Sequence, residues 1–403
     1  MSMRIAIVMN MIAPYTTGVF ERIARRPDCE LLVLYETAME PSRYWQPQAK
    51  LPYRNVLLRS WTLDLAWLAV GSGFKTREDT YLYIPKHPLA ALSRFAPDVV
   101  IAAGGGIWSS PTNIAALAAR AWHGWAFVPW WGSFLRAKPT FPRRLADPWV
   151  RTFIRSGDAW MAYGTRASAD LVRLGADPAR IVIAPLVATP ARLTASRGRE
   201  PRGEPLRYLF VGRLIERKGI EVLLDAFRDV EGGELWVAGD GPLASRVEKA
   251  AADDARVRVL GHVEAAQLDD LYSRVDVLVL PSHYDVWGLV VNEAQAYGLP
   301  VIATDQVGAA ADTIDPGVNG FVVPAGSSPA LAHAMGEVAR WSTYERERCA
   351  ERCRVKLDER SLDRAADAFL DASVLALEYR QRGSSRFRRK SVRVIDYFRR
   401  RKT

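Results

Sequence analysis

Cysteine is scarce: Cys29, Cys349 and Cys353 are the only three in 403 residues. Three cysteines cannot build a disulfide framework, and their spacing matches no common metal-ligand pattern, so a reducing compartment fits. Also absent is any uncharged apolar run of the roughly 18–20 residues that a bilayer-spanning helix needs. Residues 1–13 have Arg4 followed by an apolar run, but Asn10 interrupts it and no long apolar core follows, so they read as a first strand rather than a secretion signal. Repeats of solenoid period are missing, and low complexity is confined to the C-terminal end. What is present is 49% hydrophobic and 25% charged residues, enough for a large core, in a length natural for two domains.

Acidic residues are missing from one place in particular. Residues 380–403 hold eleven Lys or Arg against Asp396 alone, which accounts for the whole net charge of +10 and leaves the first 379 residues neutral. A neutral body argues against nucleic acid as a partner and for an appended electrostatic contact. Within 384–403, Phe387, Val394, Ile395 and Phe398 share one helical face and the cations lie largely around the rest. That is the pattern of a helix lying in an anionic membrane surface, and its alternative is a solvated basic tail.

The rest of the chain is organised around residues 281–304. Two short apolar runs, 275–280 and 300–303, suit buried parallel strands, and between them Leu289, Val290, Ala294, Ala296 and Tyr297 recur at helical spacing. Gly288 marks the start of that helix; Gly298 and Pro300 stop it. A helix entered this way points its first N–H groups across the carboxyl edge of the sheet, where anions are favoured. Asp285 precedes it and Glu293 lies about two turns in. Spacing alone leaves two readings open: a pair of ligand-binding carboxylates, or a helix-capping Asp and a solvated Glu.

The order Asp285, Trp287, Gly288, Leu289, Glu293, Ala294, Ala296, Gly298, Pro300, Val301 resembles the nucleotide-binding signature of the retaining, group-one glycosyltransferases. The departure is Asp285 where that family carries Glu. The resemblance extends through Gly212-Arg213 and Lys218-Gly219, residues 239–243, 261–263, 307–314 and 317–324, strongly over 206–340 and loosely before. It implies the GT-B fold: two Rossmann-like, doubly wound parallel-sheet domains facing across a cleft, here with a basic C-terminal tail. It also implies a nucleotide-diphosphate sugar as donor substrate, no separate cofactor, and a glycan or lipid-linked acceptor. Residue by residue, Asp285 would face the transferred sugar and Glu293 the ribose. Arg213 and Lys218 would hold the diphosphate, with Gly212, Trp287, Gly288 and Leu289 shaping the same loops and Val263 beside the nucleobase. His283 stands near the expected sugar without an assigned role. Gly18, placed at the first strand-to-helix turn, is either a plain tight turn or a backbone approach to the diphosphate.

The resemblance further implies transfer with retention and without a metal; no Asp-x-Asp triplet occurs, and no histidine stands where relatives place one near the reacting sugar. A cytoplasmic location is expected, peripheral at the inner membrane face if the tail binds there. Domains are expected at 1–187 and 206–360, joined by a polar, Pro- and Arg-rich linker at 188–205 and followed by a helix at 361–383 packing back on the first. Residues 40–95, less regular and rich in aromatics, are expected to carry acceptor-facing insertions, with 63–70 either a core helix or a surface loop. Three other classes are weighed. An epimerase of the same architecture needs carboxylates in the first domain that cannot be placed, a glycogen-type phosphorylase needs a Schiff-base lysine for which Lys218 is wrongly surrounded, and an inactive scaffolding relative needs only the fold.

Overall fold

The computed structural model describes residues 2–39, 50–64, 81–104, 111–133, 141–187 and 205–383. It divides into two compact units, Met1–Leu186 with Leu362–Thr403, and Val187–Ser361. No helix among the described residues is long and apolar enough to cross a membrane.

The first unit runs β1 (Met3–Met11), α1 (Pro14–Ala24), β2 (Cys29–Thr37), β3 (Asn55–Leu57), β4 (Ser60–Asp64), β5 (Tyr81–Pro85), α2 (Pro88–Phe95), β6 (Val99–Ala103), α3 (Pro111–His123), β7 (Ala126–Trp131), α4 (Phe141–Arg155), β8 (Trp160–Ala162), α5 (Thr165–Leu174) and β9 (Ile181–Ile183). Seven strands form one parallel sheet in the order β3-β2-β1-β6-β7-β8-β9, while β4 and β5 pair antiparallel beside it. Strands such as Val99–Ala103 and Ala126–Trp131 are buried on both faces, because helices cover both sides of a parallel sheet.

The second unit contains β10 (Arg207–Val211), α6 (Ile220–Arg228), β11 (Glu234–Ala238), α7 (Ala244–Asp253), β12 (Val257–Gly261), α8 (Leu268–Arg274), β13 (Val277–Leu280), α9 (Leu289–Ala296), β14 (Val301–Thr304), α10 (Ala310–Thr313), β15 (Gly320–Val323), α11 (Ser328–Ala339) and α12 (Thr343–Asp358). Its sheet is wholly parallel, β12-β11-β10-β13-β14-β15. Strand order therefore reverses between β10 and β13, and the crevice at their carboxyl ends is the switch point where open α/β sheets take ligands. Tyr208, Phe210, Leu223, Phe227, Val237, Val279, Ile302 and Met335 fill the core beneath it. Ser342 and Glu345 form a reciprocal capping box that starts α12.

A last helix, α13 (Leu362–Gly383), belongs to the first unit. Phe369 packs edge-on against Phe20 (centroids 5.8 Å apart) and Trp130 (4.9 Å), Arg22 pairs with Asp363 at 2.8 Å, and Arg26 with Asp367. Near its end the Arg180 guanidinium lies 3.6 Å from the Tyr379 ring centroid, and Arg380 sits 3.5 Å from Asp158. Burial, with Arg120 close by, lowers the pKa of Arg380 from its ordinary value even though Asp158 opposes the shift. The basic stretch counted from Arg380 thus begins inside a packed helix, not in a tail.

Several expectations change. Gly18 lies inside α1 rather than at a turn, because Pro14 starts the helix four residues earlier, so Gly18 offers no loop backbone to a ligand. Trp130 and Trp131, which a reading of residues 129–133 as the loop after a strand ending at Val128 leaves outside the sheet, close β7; the indole N–H of Trp131 donates to buried Asp170 at 3.0 Å. Leu63 is a strand residue and 46% exposed, so the core-helix reading fails there, and 65–70 lies outside the described residues. Of the run Gly104-Gly105-Gly106 after β6 only Gly104 is described, and residues 188–204 of the linker and the tail 384–403 also lie outside.

Candidate active site

Two loops meet at the switch point. The first follows β10, where Gly212 is faced closely by Gly239: a Cβ on Gly239 would stand 1.8 Å from the Gly212 carbonyl oxygen. The chain then passes Arg213, half-buried, makes a single 3-10 turn at Glu216–Lys218, and enters α6 through Gly219 at φ +70°. Positive φ and contact coincide at Gly219, where a Cβ would lie 2.1 Å from the Pro281 carbonyl oxygen. That close approach brings the loop after β13 onto the loop after β10. The His283 N–H donates to the Arg217 carbonyl at 2.9 Å, and the Arg217 guanidinium donates to the Tyr284 carbonyl at 3.3 Å.

The consequence is a pairing that spacing did not suggest. The Lys218 ammonium donates to Asp285 Oδ2 at 2.5 Å, so the residue expected on the diphosphate and the one expected on the transferred sugar hold each other. Burial pushes the Asp285 carboxyl up, but the Lys218 charge and hydrogen bond, the Arg217 charge and the Trp287 backbone N–H more than offset it, and its pKa is lowered. Asp285 does not stand at the N-cap of α9; Gly288 does, in the left-handed region at φ +90°, with no side chain capping the helix. A Cβ there would press Leu280 Cδ2 and Val307 Cγ1, each at 2.9 Å. The β14 loop fixes the other side: Asp285 N–H donates to the Gln306 carbonyl, Gly308 N–H to the Asp285 carbonyl at 3.0 Å, and Ala309 N–H to the Trp287 carbonyl. Trp287 is buried, its indole N–H on Asn292 Oδ1 at 2.9 Å, which makes it a packing residue. Leu289 opens α9 behind it.

Glu293 sits half-buried on α9 and accepts the Tyr272 hydroxyl proton at 2.8 Å. Tyr272, from α8, is fully buried and stacks on Tyr297 with centroids 5.5 Å apart and planes at 21°. Tyr297 is read in the sequence only as a helix-face residue, and Tyr272 not at all, since a Leu-Tyr pair before a strand carries no chemical signal. Arg217 was missed in the same way. His283 packs its ring against the turn at Gly326, 3.6 Å from where a Cβ would stand. Val263 follows β12 at the same carboxyl edge, and the Gly239 N–H donates to the Gly261 carbonyl at 2.7 Å to tie the β11 and β12 loops together. Arg213, Lys218, His283, Asp285, Gly288, Glu293 and Val263 therefore all stand on carboxyl-end loops or the helix start of one sheet; Gly18 belongs to the other unit.

Residues 205–340, which hold this parallel sheet with its basic loop after the first strand and an Asp and a Glu around the α9 start, match the family described as "Glycosyl transferases group 1". The match covers about a third of the chain, and the whole chain has the two-domain GT-B fold of its structural neighbours. It is 35% identical over 248 residues to a D-inositol 3-phosphate glycosyltransferase of Xylanimonas cellulosilytica, a match covering 56% of this chain and 59% of that protein. It is 33% identical over 145 residues to the lipopolysaccharide core biosynthesis glycosyltransferase LpsE of Rhizobium meliloti, covering 35% and 42%. The chain thus spans about two-fifths to three-fifths of the length of these curated relatives. Among solved structures, a glycosyltransferase from Rickettsia africae aligns with TM-score 0.70 at 15% identity over 94% of this chain and 99% of its own. Anabaena HepE, solved with UDP and glucose, aligns with TM-score 0.64 at 15% identity over 91% and 98%.

Proposed function

We propose that the chain transfers a sugar from a nucleotide-diphosphate sugar to an acceptor hydroxyl with retention, in the synthesis of cell-surface polysaccharide, lipopolysaccharide or glycolipid. The observation that carries the reading is the joining of Lys218 to Asp285 at the switch point, with Glu293 held by Tyr272 on the adjacent helix. A departing nucleoside diphosphate gains negative charge as the sugar carbon gains positive charge, and the site carries one group of each complementary sign side by side. In this scheme the bond from the sugar carbon to the diphosphate oxygen breaks. The acceptor oxygen bonds that carbon on the same face, and the departing phosphate oxygen takes the acceptor's proton. Arg213, Lys218 and the uncapped start of α9 meet the diphosphate in place of a metal, Asp285 meets the sugar, Glu293 the ribose hydroxyls and the backbone near Val263 the base. The relatives named for lipopolysaccharide core and inositol-phosphate glycosylation support an envelope-facing acceptor, and the basic residues 384–403 support attachment at the cytoplasmic face of an anionic membrane.

The test is a panel of UDP- and GDP-sugars added to purified protein, with melting and donor hydrolysis both recorded. One donor at about 100 times its dissociation constant should stabilise the fold by about 2.7 kcal/mol, and hydrolysis of the same donor should be measurable without acceptor. Stabilisation without hydrolysis or transfer to any acceptor would make the chain a binding subunit, and no response to any nucleotide sugar would remove the donor assignment.

A further inference from the structure

The hairpin of β4 and β5 has two unlike faces. In its register Trp61 stands opposite Ile84 and Leu63 opposite Leu82, so these four side chains share one face, while Tyr83 and Pro85 point to the other and are buried. An antiparallel pair commonly buries one face and presents polar residues on the other. Here the outward face is apolar: Trp61 is 61% exposed and Leu63 46%, with Leu82 and Ile84 half-buried beside them. The exposed Leu57 lies close in sequence, on edge strand β3.

The charge at the open end of this face has one sign. Arg59 and Lys86 adjoin it, each one residue beyond the paired end at Ser60 and Pro85. The Lys86 ammonium lies 4.9 Å from the Trp61 ring centroid, and the Lys86 N–H donates to the Arg59 carbonyl, which fixes the two cations at the open end of the hairpin. A tryptophan among aliphatic side chains with lysine and arginine at the margin matches the layering of a bilayer surface: acyl chains, then the interface where indole rings settle, then anionic headgroups. A second copy fits poorly, because a two-fold contact would bring the Arg59 and Lys86 of one copy up to those of the other. Nucleic acid has no use for Leu63, Leu82 and Ile84. We infer that the outer face of the β4–β5 hairpin docks on an anionic lipid bilayer, independently of the transfer reaction and of the C-terminal tail.

The experiment uses the full chain with vesicles of phosphatidylcholine alone or with phosphatidylglycerol, followed by co-sedimentation and by hydrogen exchange of peptides covering 59–64 and 81–86. The local readout separates the hairpin from the tail. The expected result is binding only to the phosphatidylglycerol vesicles, slower exchange in both hairpin peptides, and a partition coefficient lowered about tenfold or more in a Trp61→Ser, Leu63→Ser variant, which removes two apolar side chains from the contact. Both residues are exposed, so the variant should keep the parent's melting temperature. A second variant, Arg59→Glu with Lys86→Glu, should bind the anionic vesicles more weakly and show no slower exchange in the hairpin peptides. Unchanged exchange in the hairpin when the protein is vesicle-bound would overturn the proposal, as would equal binding by either variant. Concentration-dependent self-association that disappears in the Trp61, Leu63 variant, with no lipid effect, would assign the face to a second copy instead.

Discussion

Removing the Lys218 ammonium while keeping its length, as Lys218→Met, should leave the Asp285 carboxylate in a site built to hold it charged but with its nearest cation gone. Breaking a buried ion pair by deleting one partner costs about 3–5 kcal/mol. The two side chains are 17% and 12% exposed and Arg217 remains near, so about 2–3 kcal/mol is the expected loss here. For a unit the size of Val187–Ser361 that corresponds to a melting shift of roughly 5–10 °C. The pH dependence carries the diagnostic. In the parent, Asp285 has a lowered folded pKa, so its contribution is present above the unfolded value of about 3.9 and is lost as pH falls through the folded value. In the variant, burial dominates and raises the folded value, so stability is instead lost as pH rises through it. The gap between parent and variant should therefore widen from about pH 4 to pH 7. Asp285→Asn still accepts from the Trp287 N–H, and adding it to Lys218→Met should recover at least about 1.5 kcal/mol relative to the sum of the single changes. Calorimetry of the full chain at several pH values, with the second unit's transition assigned by hydrogen exchange of β10 and β13 peptides, measures all three quantities. A pH-independent gap, or strict additivity in the cycle, would show that the pair in this structure is not an energetic unit and would refute the argument.

Tyr272→Phe should leave the fold intact, since the ring still stacks on Tyr297, yet weaken nucleotide binding about 5- to 10-fold, the worth of one hydrogen bond that orients Glu293. Titration calorimetry with UDP and GDP checks it, and Glu293→Gln should abolish most of the difference between Tyr272 and Phe; a full Tyr272 effect on the Gln background would contradict an action through Glu293. Deleting 384–403 should lower binding to phosphatidylglycerol vesicles and make what remains less sensitive to salt, while leaving donor hydrolysis unchanged; equal sedimentation of the shortened chain would make the tail a solvated segment.

The second unit was legible because its strands are short apolar runs bounded by glycine and its helices have the 3.6-residue period; residues 275–280 and 300–303 became β13 and β14 with small shifts at the ends. The start of α9 at Gly288 was legible for a stereochemical reason, a left-handed position that only glycine fills comfortably. The union of Lys218 with Asp285 was not, because 67 residues separate them and only the approach of Gly219 to Pro281 closes the distance. Tyr272 was hidden for the same reason: its partner is 21 residues away on another helix. Gly18 misled because a proline-started helix can begin before the glycine that looks like its turn. The hairpin went unread because Trp61, Leu63, Leu82 and Ile84 look like core residues by composition, and only strand pairing shows that they share an open face.

Helix α13 completes the first unit only after the second has been made. On a ribosome adding roughly 5–20 residues per second, the interval between Leu186 and Leu362 lasts on the order of ten to forty seconds. Through that interval Phe20 and Trp130 lack the Phe369 ring that covers them, and Asp158 lacks Arg380. The nascent first unit must therefore wait, partly uncovered, for a segment that follows the whole of the second unit, and a chain that stops short of that segment would leave the same aromatic surface open for good.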